Sequence, residues 1–140
     1  MDEETFKWRT KALGLGVIRL VEALPRRKTG EVIGRQLLRS ATSVGANYRA
    51  ACRARSVADV CSKLAIVEEE ADETIYWLEL LTESGLVAPP AATPLKAEAN
   101  EIVAMTVASI KTLRERSSDQ NGKHGSPGPQ SKIQNPKSNI

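Results

Sequence analysis

The chain has 140 residues, of which 41% are apolar and 26% are charged, and its formal net charge is +3. One folded domain is expected at this length. Two cysteines and one histidine are too few for a disulfide framework or a structural zinc site. No apolar run approaches the ~20 residues that span a bilayer, and the acidic, polar start is unlike a signal peptide. These features predict a cytoplasmic protein without a membrane partner.

Four amphipathic segments with the 3.6-residue period of helices follow one another along the chain, and no segment alternates with the two-residue period of a strand. Breaks between them fall near Pro25, Ser56 and Gly85. Short connections between amphipathic helices favour antiparallel neighbours, so the predicted fold is all-α, an antiparallel up-down four-helix bundle. The predicted helices cover residues 3–24, 30–54, 57–84 and 94–116.

Suitable capping residues flank these helices. Asp2 and Ser56 can each accept a hydrogen bond from a backbone N–H in the first turn that follows. Gly85 follows the last apolar turn of the third helix, where glycine commonly ends a helix. Thr93 and Pro94 suit the start of the fourth helix.

A change in composition marks the end of the bundle. Residues 117–140 contain three prolines, three glycines and few apolar residues, so burial cannot offset the entropy lost on ordering. The sequence therefore predicts a bundle domain over residues 1–116 and a disordered basic tail over residues 117–140.

The small net charge conceals a strong asymmetry along the chain. Residues 5–63 contain thirteen bases and three acids, whereas residues 64–83 contain seven acids and no base. At ~100° per residue, four arginines of the second helix fall within an arc of about 80°. This arginine row consists of Arg35, Arg39, Arg49 and Arg53. An acidic row shares one face of the third helix and consists of Glu68, Asp72, Glu79 and Glu83.

Three interpretations of the arginine row are open. It is a solvated helix face, or it pairs with the acidic row within one chain or between subunits, or it follows the phosphates of RNA or DNA. Arginine suits phosphate because its planar fork makes two parallel hydrogen bonds. Tyr48 is the one aromatic residue of this helix and falls on its core side. Nucleic-acid binding would therefore be directed to the backbone rather than the bases.

Two further sets of residues are candidates for helix packing or a subunit interface. A polar seam along one edge of the second helix consists of Gln36, Ser40, Ser43 and Asn47. An apolar patch on the third helix, away from its main apolar stripe, consists of Ile66, Trp77 and Leu80. This patch either completes the core or forms a subunit interface, where an aromatic residue beside aliphatic ones is a typical anchor.

The sequence offers no arrangement of catalytic residues. The single histidine, His124, falls in the predicted tail, which argues against histidine-dependent triads and against the Glu-x-x-His pairs of di-iron bundles. No phosphate-binding loop or dinucleotide fingerprint occurs. We therefore expect a protein that is not an enzyme and that holds no cofactor and no metal.

Three nearly consecutive segments form a distinctive pattern: QLLRSATSVGAN at 36–47, YRAACRARS at 48–56 and KLAIVEEEADETIYWLELLTESGL at 63–86. They contain the string Q-L-x-R-x-x-x-S-x-x-x-N, followed by a basic turn and a Glu-rich helix. Over nearly all of residues 6–116 the chain resembles the small bacterial four-helix-bundle proteins, also called 23S rRNA intervening-sequence proteins. Many relatives read N-I-A-E-G from the asparagine onward, whereas here Asn47 precedes Tyr48 and Arg49, so an acid is absent and an arginine is gained.

The resemblance implies an antiparallel four-helix bundle that assembles as a ring, commonly a homopentamer. Some relatives are encoded within insertions in large-subunit ribosomal RNA genes. The accessory protein of diversity-generating retroelements is similar to this family; it binds nucleic acid through a basic surface and works with a reverse transcriptase. The resemblance and the charge asymmetry together favour a non-enzymatic oligomeric scaffold that binds nucleic acid, or a nucleic-acid-processing partner, through the arginine row. The alternative is a protein-interaction module whose basic and acidic rows pair at subunit contacts.

Overall fold

The computed structural model describes residues 2–123, and these residues form four helices without a strand. The all-α prediction is confirmed. Residues 124–140 of the predicted tail, with His124, lie outside the described residues. The helices are α1 (Glu3–Glu22), α2 (Lys28–Cys52), α3 (Val57–Glu83) and α4 (Pro89–Lys123).

The four helices pack as the predicted antiparallel bundle. Each helix contacts the next along the chain, and α4 closes the bundle against α1. The α2–α3 contact is the most extensive and the α1–α4 contact is the smallest. Most of the fully buried large side chains are aliphatic, and they include Leu13, Leu37, Leu64, Leu78, Leu81 and Ile102. Phe6 and Tyr48 stack between α1 and α2 with ring centroids 4.1 Å apart.

Local hydrogen bonds define the helix ends as predicted. The Asp2 carboxylate accepts from the Thr5 N–H at 2.7 Å, and the Ser56 hydroxyl oxygen accepts from the Asp59 N–H at 3.1 Å. Gly85 ends the third helix with φ +82°, the left-handed conformation that side-chain-bearing residues rarely adopt. These caps separate α3 from both of its connections.

Helix α4 is longer at both ends than the sequence predicts. It begins at Pro89 rather than near Pro94, because proline needs no N–H partner in the first turn and its φ already suits a helix. The Thr93 hydroxyl donates to the Pro89 carbonyl at 2.9 Å instead of capping a new helix. At the other end the helix continues through residues 117–123, which we predicted to be disordered. Ser117 is half-buried there, in a cleft beside the start of α3.

None of the helices described in residues 2–123 combines the length and apolar character needed to cross a membrane.

Candidate nucleic-acid interface

The arginine row lies on the exposed face of α2, with Arg53 as the residue that caps its C-terminus, and all four members are accessible to solvent. Arg39 differs from the others because its side chain leans toward α3. Its guanidinium makes ion pairs with Glu70 at 3.3 Å and with Glu73. The hydrogen bond to Glu73 raises the pKa of Arg39, and the same bond, together with one from Trp77, lowers the pKa of Glu73. The charge of Arg39 is therefore neutralised by two carboxylates of α3.

The other three arginines of the row have no such partner. Among residues 2–123, Arg35, Arg49 and Arg53 make no ion pair with a carboxylate. Their charges face water, where they are available to an external anion. The arginine row thus divides into one arginine bound to the bundle and three that are open.

The acidic row does not neutralise the arginine row within the chain. Its residues make no ion pair in the described part of the molecule, and three of the four are exposed. At ~100° per residue, the acidic row falls on the side of α3 turned away from α2. The interpretation that the acidic row pairs with the arginine row within one chain is therefore wrong for residues 2–123. Arg39 pairs instead with Glu70 and Glu73, two other carboxylates of α3 that belong to a different face of the helix.

The polar seam lies along the side of α2 that packs against α3. Ser40 is fully buried there, and its hydroxyl accepts from Thr74 of α3 at 3.0 Å while donating to the Leu37 carbonyl at 3.1 Å. Asn47 donates to the Ser43 carbonyl at 2.9 Å, on its own helix. Gln36 remains half-buried and accepts from Arg39 at 3.4 Å. Within residues 2–123, Ser40 is the one member of the seam whose side chain bonds to a neighbouring helix.

The apolar patch on α3 is half-buried in the bundle. Ile66 and Leu80 keep part of their surface accessible, and Trp77 packs against the core. The Trp77 indole N–H donates to the Glu73 carboxylate at 3.1 Å. Glu73 therefore joins Trp77 to Arg39, so one member of the patch supports the α2–α3 contact.

Two features of α1 were missed by the sequence analysis. Arg9 binds α4 through Glu98, at 2.7 and 2.9 Å, and through Glu101, and the hydrogen bonds to Glu98 raise its pKa. Trp8, beside it, is 62% exposed. Its orientation was readable, because Trp8 follows the core residue Phe6 by two positions and so points about 200° away from it.

Trp8 borders a groove between α1 and α2 with a volume of about 630 Å³. We call this the α1–α2 groove. Its residues include Lys11, Leu15 and Ile18 of α1 and Arg49 of the arginine row. One of the open arginines therefore shares a concave surface with an exposed aromatic ring and a lysine.

Comparison with known proteins identifies a family model and a solved structure that resemble this chain. A family model described as 23S rRNA-intervening sequence protein matches residues 7–108. A crystal structure of a protein of unknown function from the S23 ribosomal protein family of Bacteroides thetaiotaomicron is similar to this chain, with 34% identity and a TM-score of 0.71. The match covers 76% of this chain and 98% of that one. No curated protein matches the chain.

Proposed function

The chain belongs to the 23S rRNA-intervening sequence protein family, and on that premise we propose that it is a non-enzymatic, cytoplasmic scaffold that binds the RNA or DNA backbone. The scaffold assembles as a homo-oligomer, and a pentameric ring is the form implied by the resemblance. A nucleic-acid-processing protein such as a reverse transcriptase is the partner that the same resemblance suggests. The three open members of the arginine row, Arg35, Arg49 and Arg53, are the proposed contact surface, since Arg39 is paired with α3.

The observation that carries the proposal is the set of three open arginines. Arg35, Arg49 and Arg53 are exposed on one helix face and have no ion-pair partner among residues 2–123. Unneutralised arginines bind phosphates and release the counterions condensed on nucleic acid, which makes such binding strongly salt-dependent. The excess of ten positive charges over residues 5–63 adds a favourable field around this face.

The first test is size exclusion with light scattering at ~50 and ~200 mM salt, with and without a mixed-sequence RNA, because phosphate contacts weaken strongly over that range. We expect an oligomer at both salt concentrations that co-elutes with RNA at the lower one. An oligomer that does not co-elute with RNA at ~50 mM salt would contradict the proposal.

Substitutions then locate the surface. Arg49→Gln with Arg53→Gln should weaken RNA binding and lower the slope of log affinity against log salt by about 2. Arg39→Gln is the matched control, because Glu70 and Glu73 already neutralise Arg39. Equal losses for the control and the double variant would mean that the open arginines are not the contact surface.

The unpaired acidic row favours a second candidate function, a module in which basic and acidic rows pair between subunits. Asp72, Glu79 and Glu83 are exposed and make no ion pair in the described chain. On this alternative, Arg49→Glu with Arg53→Glu should break the oligomer, and Asp72→Arg with Glu79→Arg should restore it. The nucleic-acid scaffold instead predicts that the arginine substitutions leave the oligomer intact.

A further inference from the structure

The α1–α2 groove is lined by two glycines and by one exposed aromatic residue, Trp8. Gly14 and Gly45 line the groove without side chains; a Cβ on Gly45 would lie at an ordinary contact distance, 3.5 Å, from the Thr10 backbone. Trp8 lines the same groove and is the most exposed of the large apolar side chains in the described residues. Leu15 also lines the groove and is partly exposed. A flat ring therefore faces solvent beside a shallow apolar channel.

The charges around the groove favour an anionic occupant. Lys11 and Arg49 line it and make no ion pair within residues 2–123. Glu4 is the one carboxylate in the lining, and it is bound by Lys7 at 3.4 Å. Lys7 also binds Glu3, at 3.2 Å, so Lys7 is not counted as a free cation. Two open cations thus remain beside the ring.

We propose that the α1–α2 groove binds single-stranded nucleic acid, with a base stacked on Trp8 and neighbouring phosphates held by Lys11 and Arg49. Aromatic platforms beside basic grooves are the recurring solution for single strands, because every base offers a π-face for stacking. This inference rests on the proposed function and extends it. From the sequence we predicted contacts to the nucleic-acid backbone alone, because we looked for a stacking residue on α2, where the aromatic residue is the core residue Tyr48, and not on α1, where Trp8 lies.

A single strand suits this surface better than a duplex or a second protein chain. In a duplex the base faces are covered by their neighbours, so Trp8 would have nothing to stack on. Lysine is depleted from the cores of protein interfaces, whereas Lys11 lines this groove and makes no ion pair within residues 2–123. We therefore treat a second copy of the chain as an outcome of the test.

The experiment uses the fluorescence of Trp8. The chain has two tryptophans, so Trp77→Phe leaves Trp8 as the sole reporter in the full-length protein. Titration with a twelve-nucleotide oligouridine at ~50 mM salt should quench its emission. An RNA duplex of twelve base pairs should bind through the arginine row with little quenching.

Affinity measurements complete the test. Trp8→Ala should weaken binding of the single strand roughly tenfold or more, since one stacked base contributes about that much, and should leave duplex binding unchanged. Trp8→Phe should restore part of the loss. Tyr76→Ala is the matched control, because Tyr76 is 52% exposed on α3 beside the acidic row and should have no effect.

Each other outcome overturns the inference in a recognisable way. If Trp8→Ala binds the single strand as the wild type does, while Arg49→Gln with Arg53→Gln binds weakly, the groove is not the site and the proposed function stands. If the wild type binds neither strand form, the proposed function itself fails. If Trp8→Ala dissociates the oligomer in light scattering without RNA, the groove is a subunit interface.

Discussion

Helix α2 makes different contacts with its two neighbours. Toward α3, Ser40 and Arg39 bond to side chains of that helix, whereas toward α1 the helix has Gly45 and borders a groove. The α2–α3 contact contains the Thr74–Ser40 hydrogen bond and the Arg39–Glu73–Trp77 link. The α1–α2 contact has the close approach at Gly45 and the stack of Phe6 on Tyr48. The α3 side of the helix therefore adds polar bonds to its apolar packing, whereas the described contacts on the α1 side are apolar and leave a groove.

This difference shows how packing divides an apparently uniform row of charges. Arg39 and Arg49 lie on the same exposed face, yet Arg39 meets carboxylates of α3 and Arg49 borders the α1–α2 groove. A helix surface therefore has no single role. A residue on the α3 side of α2 contributes to stability, whereas one on the α1 side remains open for binding. The following substitutions test this difference between the two sides.

The largest effect is expected from Gly45→Val on the α1 side. The added methyl groups would press on the Thr10 backbone, and overpacking of this kind costs roughly 2 kcal/mol of unfolding free energy. Gly45→Ala is the matched control: its Cβ would sit at an ordinary contact distance of 3.5 Å, and it should stabilise α2 by about 0.5 kcal/mol. Urea unfolding monitored by circular dichroism measures both. Equal stability of the two variants would show that α1 and α2 are not closely packed at Gly45.

Thr74→Val tests the polar closure on the α3 side. It removes a hydroxyl that lies 3.0 Å from Ser40 Oγ on α2 and 2.7 Å from the Glu70 carbonyl of its own helix, and it should cost about 1 kcal/mol, the usual value of a hydrogen bond. Thr106→Val provides the comparison, because Thr106 is equally buried and, among the described residues, its hydroxyl donates to the Ile102 carbonyl of its own helix and to no other helix. The same unfolding assay applies. A loss for Thr74→Val no greater than that for Thr106→Val would argue against an interhelical role for the hydroxyl.

Arg39→Gln should cost only about 0.5 kcal/mol, because about half of the Arg39 side chain is exposed to solvent, which screens the ion pair. The pKa of Glu73 is lowered in the folded state, so the pair stabilises the fold above the unfolded value of 4.5. That contribution is lost as the pH falls through the folded pKa. Unfolding of wild type and variant should therefore differ at pH 7 and converge well below pH 4.5. Arg49→Gln should match the wild type at both pH values.

Tyr48→Phe should have the smallest effect at neutral pH, because the ring stack on Phe6 is retained. Burial raises the pKa of Tyr48 above its ordinary value of 10.0. Its contribution to stability is therefore complete below pH 10.0 and is lost as the pH rises toward the folded pKa. Unfolding midpoints between pH 8 and pH 11 should fall less steeply for the variant. Identical alkaline slopes would mean that Tyr48 ionises as freely when folded as when unfolded.

Much of the fold follows from local information in the sequence. The caps at Asp2, Ser56 and Gly85 depend on neighbouring residues alone, and the predicted apolar stripes contain the buried Leu37 and Leu64. The start of α4 was misplaced because a Pro-Pro pair serves equally as a helix breaker and as a helix start. Which one it becomes depends on how the following turn packs.

The candidate site was less accessible to sequence reasoning. The exposure of the arginine row follows from its position opposite the apolar stripe. The partner of Arg39 does not, because helical periodicity fixes angles around one axis but leaves open on which side the next helix lies. The groove beside Arg49 has the same origin, since it exists only where α1 and α2 are placed side by side.

An even number of antiparallel helices brings both ends of the described chain to one end of the bundle. Asp2 precedes α1 there, and the last turns of α4 run toward the same end, which also holds Trp8 and Arg53. An affinity tag, a surface anchor or a fused protein attached ahead of Asp2 would stand close to the proposed contact surface. The turn at Gly85, at the opposite end of the bundle, is the better point of attachment for a dye or a tether, because it keeps that surface facing the solution.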